Sequence, residues 1–218
     1  MTVQANPPSS LPAEGDILAW PNEPQQLFLL MHEAGQRLAD WQTLAQELAR
    51  NFAQGAVVLL AEQAASSPAL KGAAAAQALY ERVRQWQAHA GLGFECTACI
   101  AQGAAAHTAI TAAALHADLC ARLFAVEGQA LTEALSISDR TCLHWLQGDA
   151  DVDALGLVRE AVRQLQALRA DCTLEVLSAA EADQAAATRQ RILHLLQNYV
   201  PRRIWREALA HAQALDSD

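Results

Sequence analysis

An α/β domain, with a mostly parallel central sheet and helices on both faces, follows from three features of the 218-residue sequence. Short apolar runs alternate with longer stretches of helical periodicity from about residue 16 onward. Several runs are almost wholly apolar, as strands buried on both faces require. The chain is 52% hydrophobic and 18% charged, which suits one compact domain with a single core.

In chain order, the Pro- and Ser-rich residues 1–15 read as a loose lead-in, and residues 16–218 as the domain. Asp16 to Trp20 predicts an edge strand, and QQLFLLM (Gln25 to Met31) the first interior strand. Residues 39–52 predict a helix, because Trp41, Leu44, Ala45 and Leu48 recur at helical spacing. AVVLLA (Ala56 to Ala61) is the next strand, followed by an Ala-rich helix over 70–90 with Leu79, Val83 and Trp86 on one side. Glu95 to Ala101 predicts a strand that runs directly into a helix from about 103 to 116. Ala121 to Val126 and Thr141 to Leu146 are further strands. Val152 to Leu168 is a helix with Leu155, Val158, Val162, Leu165 and Leu168 on one face. Thr173 to Leu177 is the last strand, residues 184–198 a helix, and a short helix follows Pro201. The five tryptophans, Trp20, Trp41, Trp86, Trp145 and Trp205, fit core or helix–sheet contacts.

The net charge of -9 argues against a nucleic-acid or anionic-membrane surface. No run of 18 apolar residues exists, so no membrane span is expected. Cys96, Cys99, Cys120, Cys142 and Cys172 all fall in apolar, strand-like runs and read as buried thiols of a cytoplasmic protein. Cys96 and Cys99 form a lone CxxC whose side chains would point to opposite faces of a strand, so neither a metal nor a cofactor is expected.

Ligands of such sheets bind where strands end, which directs attention to the turns after each strand. Four segments stand there: LFLLMHEAGQ at 27–36, ACIAQGAA at 98–105, HWLQGDADV at 144–152 and LEVLSAAEAD at 174–183. In order and spacing they resemble the phospholipase/carboxylesterase family of α/β hydrolases, the group of acyl-protein thioesterases and small bacterial serine esterases. The resemblance implies the α/β-hydrolase fold and carboxylic-ester hydrolysis by a Ser-Asp-His triad.

Residue by residue, the resemblance implies a site that has lost its parts. CIAQG matches the family's G-x-S-x-G elbow with Ala101 at the serine position. A methyl group offers neither lone pair nor proton, so no acyl-enzyme can form there. The acid falls on Ala150, although a slip of one residue would select Asp149 or Asp151 instead. The base falls on Ala182. The oxyanion loop maps onto Ala34 and Gln102, but the family's glycine becomes Glu33 and its aspartate Gln36. A carboxylate at Glu33 would oppose an anionic intermediate. Alanine makes up 49 residues, so drift toward the background residue accounts for all three vacancies.

The leading expectation is therefore a pseudoenzyme with a binding or interaction role. Its partner would be a small apolar ligand, another protein or a second copy of the chain. The alternative is an active hydrolase that uses displaced groups: His32, Glu33, Glu127, Asp149, Asp151, Glu181 or Asp183. Cys99 lacks a partner base and reads as core.

Overall fold

The computed structural model describes residues 15–32, 38–60, 72–128, 135–178 and 183–215. Seven strands form one sheet: β1 (Gly15–Ala19), β2 (Gln26–Met31), β3 (Gly55–Leu60), β4 (Thr97–Gln102), β5 (Arg122–Val126), β6 (Cys142–Gly148) and β7 (Asp171–Leu177). Their spatial order is β1-β3-β2-β4-β5-β6-β7. Only β1 is antiparallel, pairing with β3 at the edge, and every other pairing is parallel. Six helices are described: α1 (Leu38–Asn51), α2 (Ala73–Ala90), α3 (Ala104–Leu115), α4 (Val152–Ala167), α5 (Gln184–Asn198) and α6 (Arg202–Leu215). The expected fold class is the one observed.

The two-residue period of a strand divides the core in two. Cys99 and Ala101 of β4 face a cluster shared with Trp86 of α2, Ile110 of α3 and Val158 of α4. Ala98 and Ile100 of the same strand face Trp41 and Leu48 of α1 and Ile192 of α5. All six residues of β3 are buried, as the apolar run predicts.

Three expectations need correction. Cys96 is exposed, because it lies on a 3₁₀ turn (Phe94–Cys96) that precedes β4 instead of within the strand. Leu168 is 55% exposed, because α4 ends one residue earlier and the chain turns at Arg169, whose φ is +66°. Trp205 is 59% exposed on α6 and belongs to no core.

The amino ends of β5, β6 and β7 carry a buried polar cluster. Arg122 donates to the carbonyls of Leu195 and Tyr199, at 2.8 Å each, and so ties the start of β5 to the end of α5. Asp171 is buried and accepts from the Tyr199 hydroxyl at 2.5 Å, the Cys142 thiol at 3.2 Å and the Arg202 backbone N–H at 2.8 Å. Burial, reinforced by the Asp171 carboxylate, pushes the Cys142 thiol up to about 12.

His144 of β6 lies fully inside this layer, with Nδ1 2.9 Å from the Thr173 hydroxyl. Burial is the main cause that lowers its pKa from 6.5 to about 4, and the Arg122 charge adds to it. The unfolded chain takes up this proton near pH 6.5, whereas the folded chain resists it until about pH 4. Stability is therefore unaffected by this group above 6.5, falls between about 6.5 and 4, and levels off below. The loss across that window is roughly 3 kcal/mol. Urea unfolding at pH 7.5, 5.5 and 4.5 checks it. The wild type should lose more stability than His144→Gln on acidification, and parallel pH profiles would contradict the assignment.

Candidate functional site

The carboxyl ends of β4, β5 and β6 open onto a cavity of about 530 Å³ between α1 and α5. That volume is in the range of small-molecule sites. Trp41, Leu44, Ile100, Val126 and Ile192 supply apolar walls, while Gln102, Glu127, Gln147, Asp151, Gln184 and Thr188 supply polar groups. Arg189 of α5 also lines it and pairs with Glu47 of α1, Nε to Oε2 at 3.5 Å, bridging the two helices beside the cavity.

Glu127 is the hub of the polar side. It directly follows β5 and has φ of +48°, which is uncommon for a residue with a side chain. Its Oε2 accepts from Gln147 Nε2 at 2.9 Å. Its Oε1 accepts from the Gly148 backbone N–H at 2.9 Å and from Gln184 Nε2 at 3.2 Å. Three strand and helix ends thus converge on one carboxylate. Gly148 leaves room for this arrangement, since a Cβ there would lie 2.7 Å from Gln184 Nε2 and 3.0 Å from Glu127 Oε1.

The strand-to-helix turn of the ACIAQGAA segment is centred on Gly103. β4 continues through Gln102, and Gly103 caps α3 with φ +58° and ψ -127°. Its N–H donates to the Val126 carbonyl at 2.9 Å. Only a residue free of Cβ takes up that backbone conformation without strain. Ala101 lies two residues earlier, beside Met31 and Ala125 in the sheet, with its methyl group wholly buried. The small residues flanking this turn are Ala101 and Ala105. Alanine is so frequent that composition could not separate this register from that of CIAQG. The useful signal was a glycine placed directly before a helix.

The displaced-residue candidates divide sharply. Asp151 is the N-cap of α4 and accepts from the Ala154 N–H at 2.9 Å. Asp183 caps α5 in the same way, accepting from Ala186 N–H at 2.8 Å. Both carboxylates hold the helix starts, and Asp151 also lines the cavity. Asp149 and Ala150 are exposed on the turn after β6, and Ala150 lines the cavity. His32 follows β2 and is half-buried. Glu33, Ala34, Gln36, Glu181 and Ala182 lie outside the described residues. Cys99 is buried in the core, and a hydrogen bond with Cys120, reinforced by burial, raises its thiol pKa.

The described lining of the cavity contains no serine, cysteine or histidine. Its one hydroxyl side chain, Thr188, donates to the Gln184 carbonyl at 2.8 Å. Among the described residues, no three His, Cys, Asp or Glu side chains stand where they could hold a metal ion. No described helix is long and apolar enough to cross a membrane.

No protein-family model and no curated protein matches the sequence. Solved structures do match. The esterase PE8 superposes with a TM-score of 0.65 at 15% identity, over 82% of this chain and 97% of its own. A phospholipase/carboxylesterase from Dyadobacter fermentans gives 0.61 at 15% identity, over 86% and 100%. A carboxylesterase from Mesorhizobium loti gives 0.60 at 14% identity, over 78% and 89%. At these identities the likeness carries the fold, which is that of the α/β hydrolases.

Proposed function

We propose that the chain is a catalytically silent relative of the phospholipase/carboxylesterase group, which uses the crevice above β4, β5 and β6 to bind a small ligand without hydrolysing it. The observation that carries this reading is the elbow. The backbone conformation that presents a nucleophile in this fold belongs here to Gly103, which has no side chain to present. On this reading the vestigial nucleophile position is Gly103 instead of Ala101. The N–H that follows it, an oxyanion donor in active relatives, is that of Ala104 instead of Gln102. Ala150 and Ala182 stay as the vestigial acid and base, and Ala34 marks the other half of the oxyanion loop. The five free cysteines fit a cytoplasmic protein.

The lining describes the ligand. An apolar body would lie against Trp41, Leu44 and Ile192, and a hydrogen-bonding end would meet the side-chain amides of Gln102 and Gln184. Glu127 already accepts three hydrogen bonds of the roughly four its carboxylate can take. It organises the crevice and is poorly placed to act as a base.

Hydrolysis of p-nitrophenyl acetate and butyrate tests the reading. The rate with purified protein should equal that of buffer. Turnover well above buffer that is lost in Glu127→Gln would establish an active hydrolase with a displaced carboxylate.

A further inference from the structure

The polar side of the crevice is arranged to accept hydrogen bonds, and Glu127 is the reason. A carboxylate only accepts, so the amides of Gln147 and Gln184 both present Nε2 to it, at 2.9 and 3.2 Å. This fixes which end of each amide is nitrogen and turns both Oε1 atoms away from Glu127. Gln147 is 5% exposed and lines the crevice, and its Oε1 has no hydrogen-bond partner. A buried carbonyl oxygen without a donor is costly, and a ligand N–H at the crevice wall would remove that cost. Asp151 lines the same crevice and caps α4 through Oδ1, which leaves its second oxygen as a further acceptor.

The lining also carries negative charge. The donors to Glu127 are two side-chain amides and a backbone N–H, all of them neutral. Asp151 likewise accepts from a backbone N–H. Arg189, the arginine of the described lining, stands 3.5 Å from Glu47 and is taken up there. Within the described lining no cation therefore answers Glu127 or Asp151. The low dielectric of a crevice strengthens the attraction of both for a positive ligand. The net charge of -9 adds to it at longer range.

We propose that the occupant of this crevice is an organic ammonium ion, a protonated amine carried on an apolar body. The proposal rests on the ligand-binding reading and names the class of that ligand. An ammonium brings up to three N–H donors and a positive charge to a wall that holds acceptors and carboxylates. Its body packs against Trp41, Leu44 and Ile192, and the aromatic surface of Trp41 favours a cation nearby. A neutral alcohol donates one hydrogen bond and leaves the charge unanswered. A carboxylic acid, the product an esterase would release, ionises to an anion that meets repulsion and finds acceptors where it needs donors.

An amide NMR titration of the full chain with phenethylammonium, phenethyl alcohol and hydrocinnamate tests it, since the three share one ring and differ in the polar end. Phenethylammonium should shift the side-chain amide signals of Gln147 and Gln184 and the indole signal of Trp41. It should bind at least about tenfold more tightly than the alcohol. Hydrocinnamate should leave those signals in place. Glu127→Gln should abolish the preference for the ammonium over the alcohol. Asp151→Asn keeps a good N-cap, and so the fold, while removing a charge. It should weaken ammonium binding by about threefold and leave alcohol binding unchanged. Crevice shifts by the alcohol or by hydrocinnamate that equal or exceed those of the ammonium would overturn the cation and spare the ligand-binding reading. Crevice signals unmoved by any of the three would overturn both. An ammonium preference that survives both substitutions would place its binding elsewhere and overturn the proposal.

Discussion

Replacing Asp171 by alanine should cost roughly 3 kcal/mol of folding stability, a large share of what a domain of this size possesses. The carboxylate is 3% exposed and serves three donors from three separate places: Cys142 on β6, Tyr199 after α5 and the Arg202 N–H at the start of α6. Arg202 Nε adds an ion pair at 3.6 Å. Removing the acceptor strands the buried Cys142 thiol and the half-buried Tyr199 hydroxyl, and releases the tether of α6. Tyr199 should then titrate at a lower pH. Burial is the leading cause that raises its phenol pKa, and the hydrogen bond and charge of Asp171 come next. Urea unfolding gives the free energy, and limited proteolysis reports whether α6 is cut first. Asp171→Asn should recover little, since one amide oxygen replaces two carboxylate acceptors. A loss under 1 kcal/mol would show that water or neighbouring groups substitute for the carboxylate, and would remove it as the anchor of the C-terminal segment.

Gly103→Ser should destabilise the protein by about 1–3 kcal/mol, lowering the melting temperature by several degrees, and should confer no esterase activity. On the proposed reading, the serine would restore the elbow's nucleophile in name. It would also carry a Cβ into a backbone region with φ +58°, which side chains tolerate poorly. Active hydrolases offset that strain elsewhere in the fold, whereas a chain with glycine at the turn has no such requirement. Gly103→Ala should cost about as much, which separates backbone strain from any effect of the hydroxyl. A melting temperature equal to or above that of the wild type would place the elbow elsewhere and reopen the Ala101 register.

Much of this architecture is legible in the residues. VVLL within β3 and LFLL within β2 announce strands buried on both faces, and each is followed by a helix with a clear apolar stripe. The antiparallel edge strand at Gly15–Ala19 is legible as well, from a short mixed run just after a polar lead-in. The site is harder to read, for identifiable reasons. In a chain this rich in alanine, CIAQG and AQGAA fit a small-x-x-x-small pattern equally, and the proposed choice of AQGAA rests on φ and ψ at Gly103. Asp151 and Asp183 invite a catalytic reading because they stand at the right turns. Each also stands immediately before a helix, and capping is what they do. The Glu127 hub joins residues 127, 147, 148 and 184, and no local pattern links positions so far apart. The exposed stripe of α6 is visible as periodicity, but nothing local tells a stripe that meets the sheet from one that does not.

Covalent capture is the most direct test of the silent-hydrolase account. A fluorophosphonate reacts with the activated serine of an esterase of this fold and requires no knowledge of the substrate. After prolonged exposure to excess reagent, intact-protein mass spectrometry should show the wild-type chain at its unmodified mass of 23.4 kDa, with an active serine esterase labelled to completion in parallel. Stoichiometric labelling of the wild type at a single hydroxyl, lost on heat denaturation, would contradict the account and identify a nucleophile that Gly103 cannot supply.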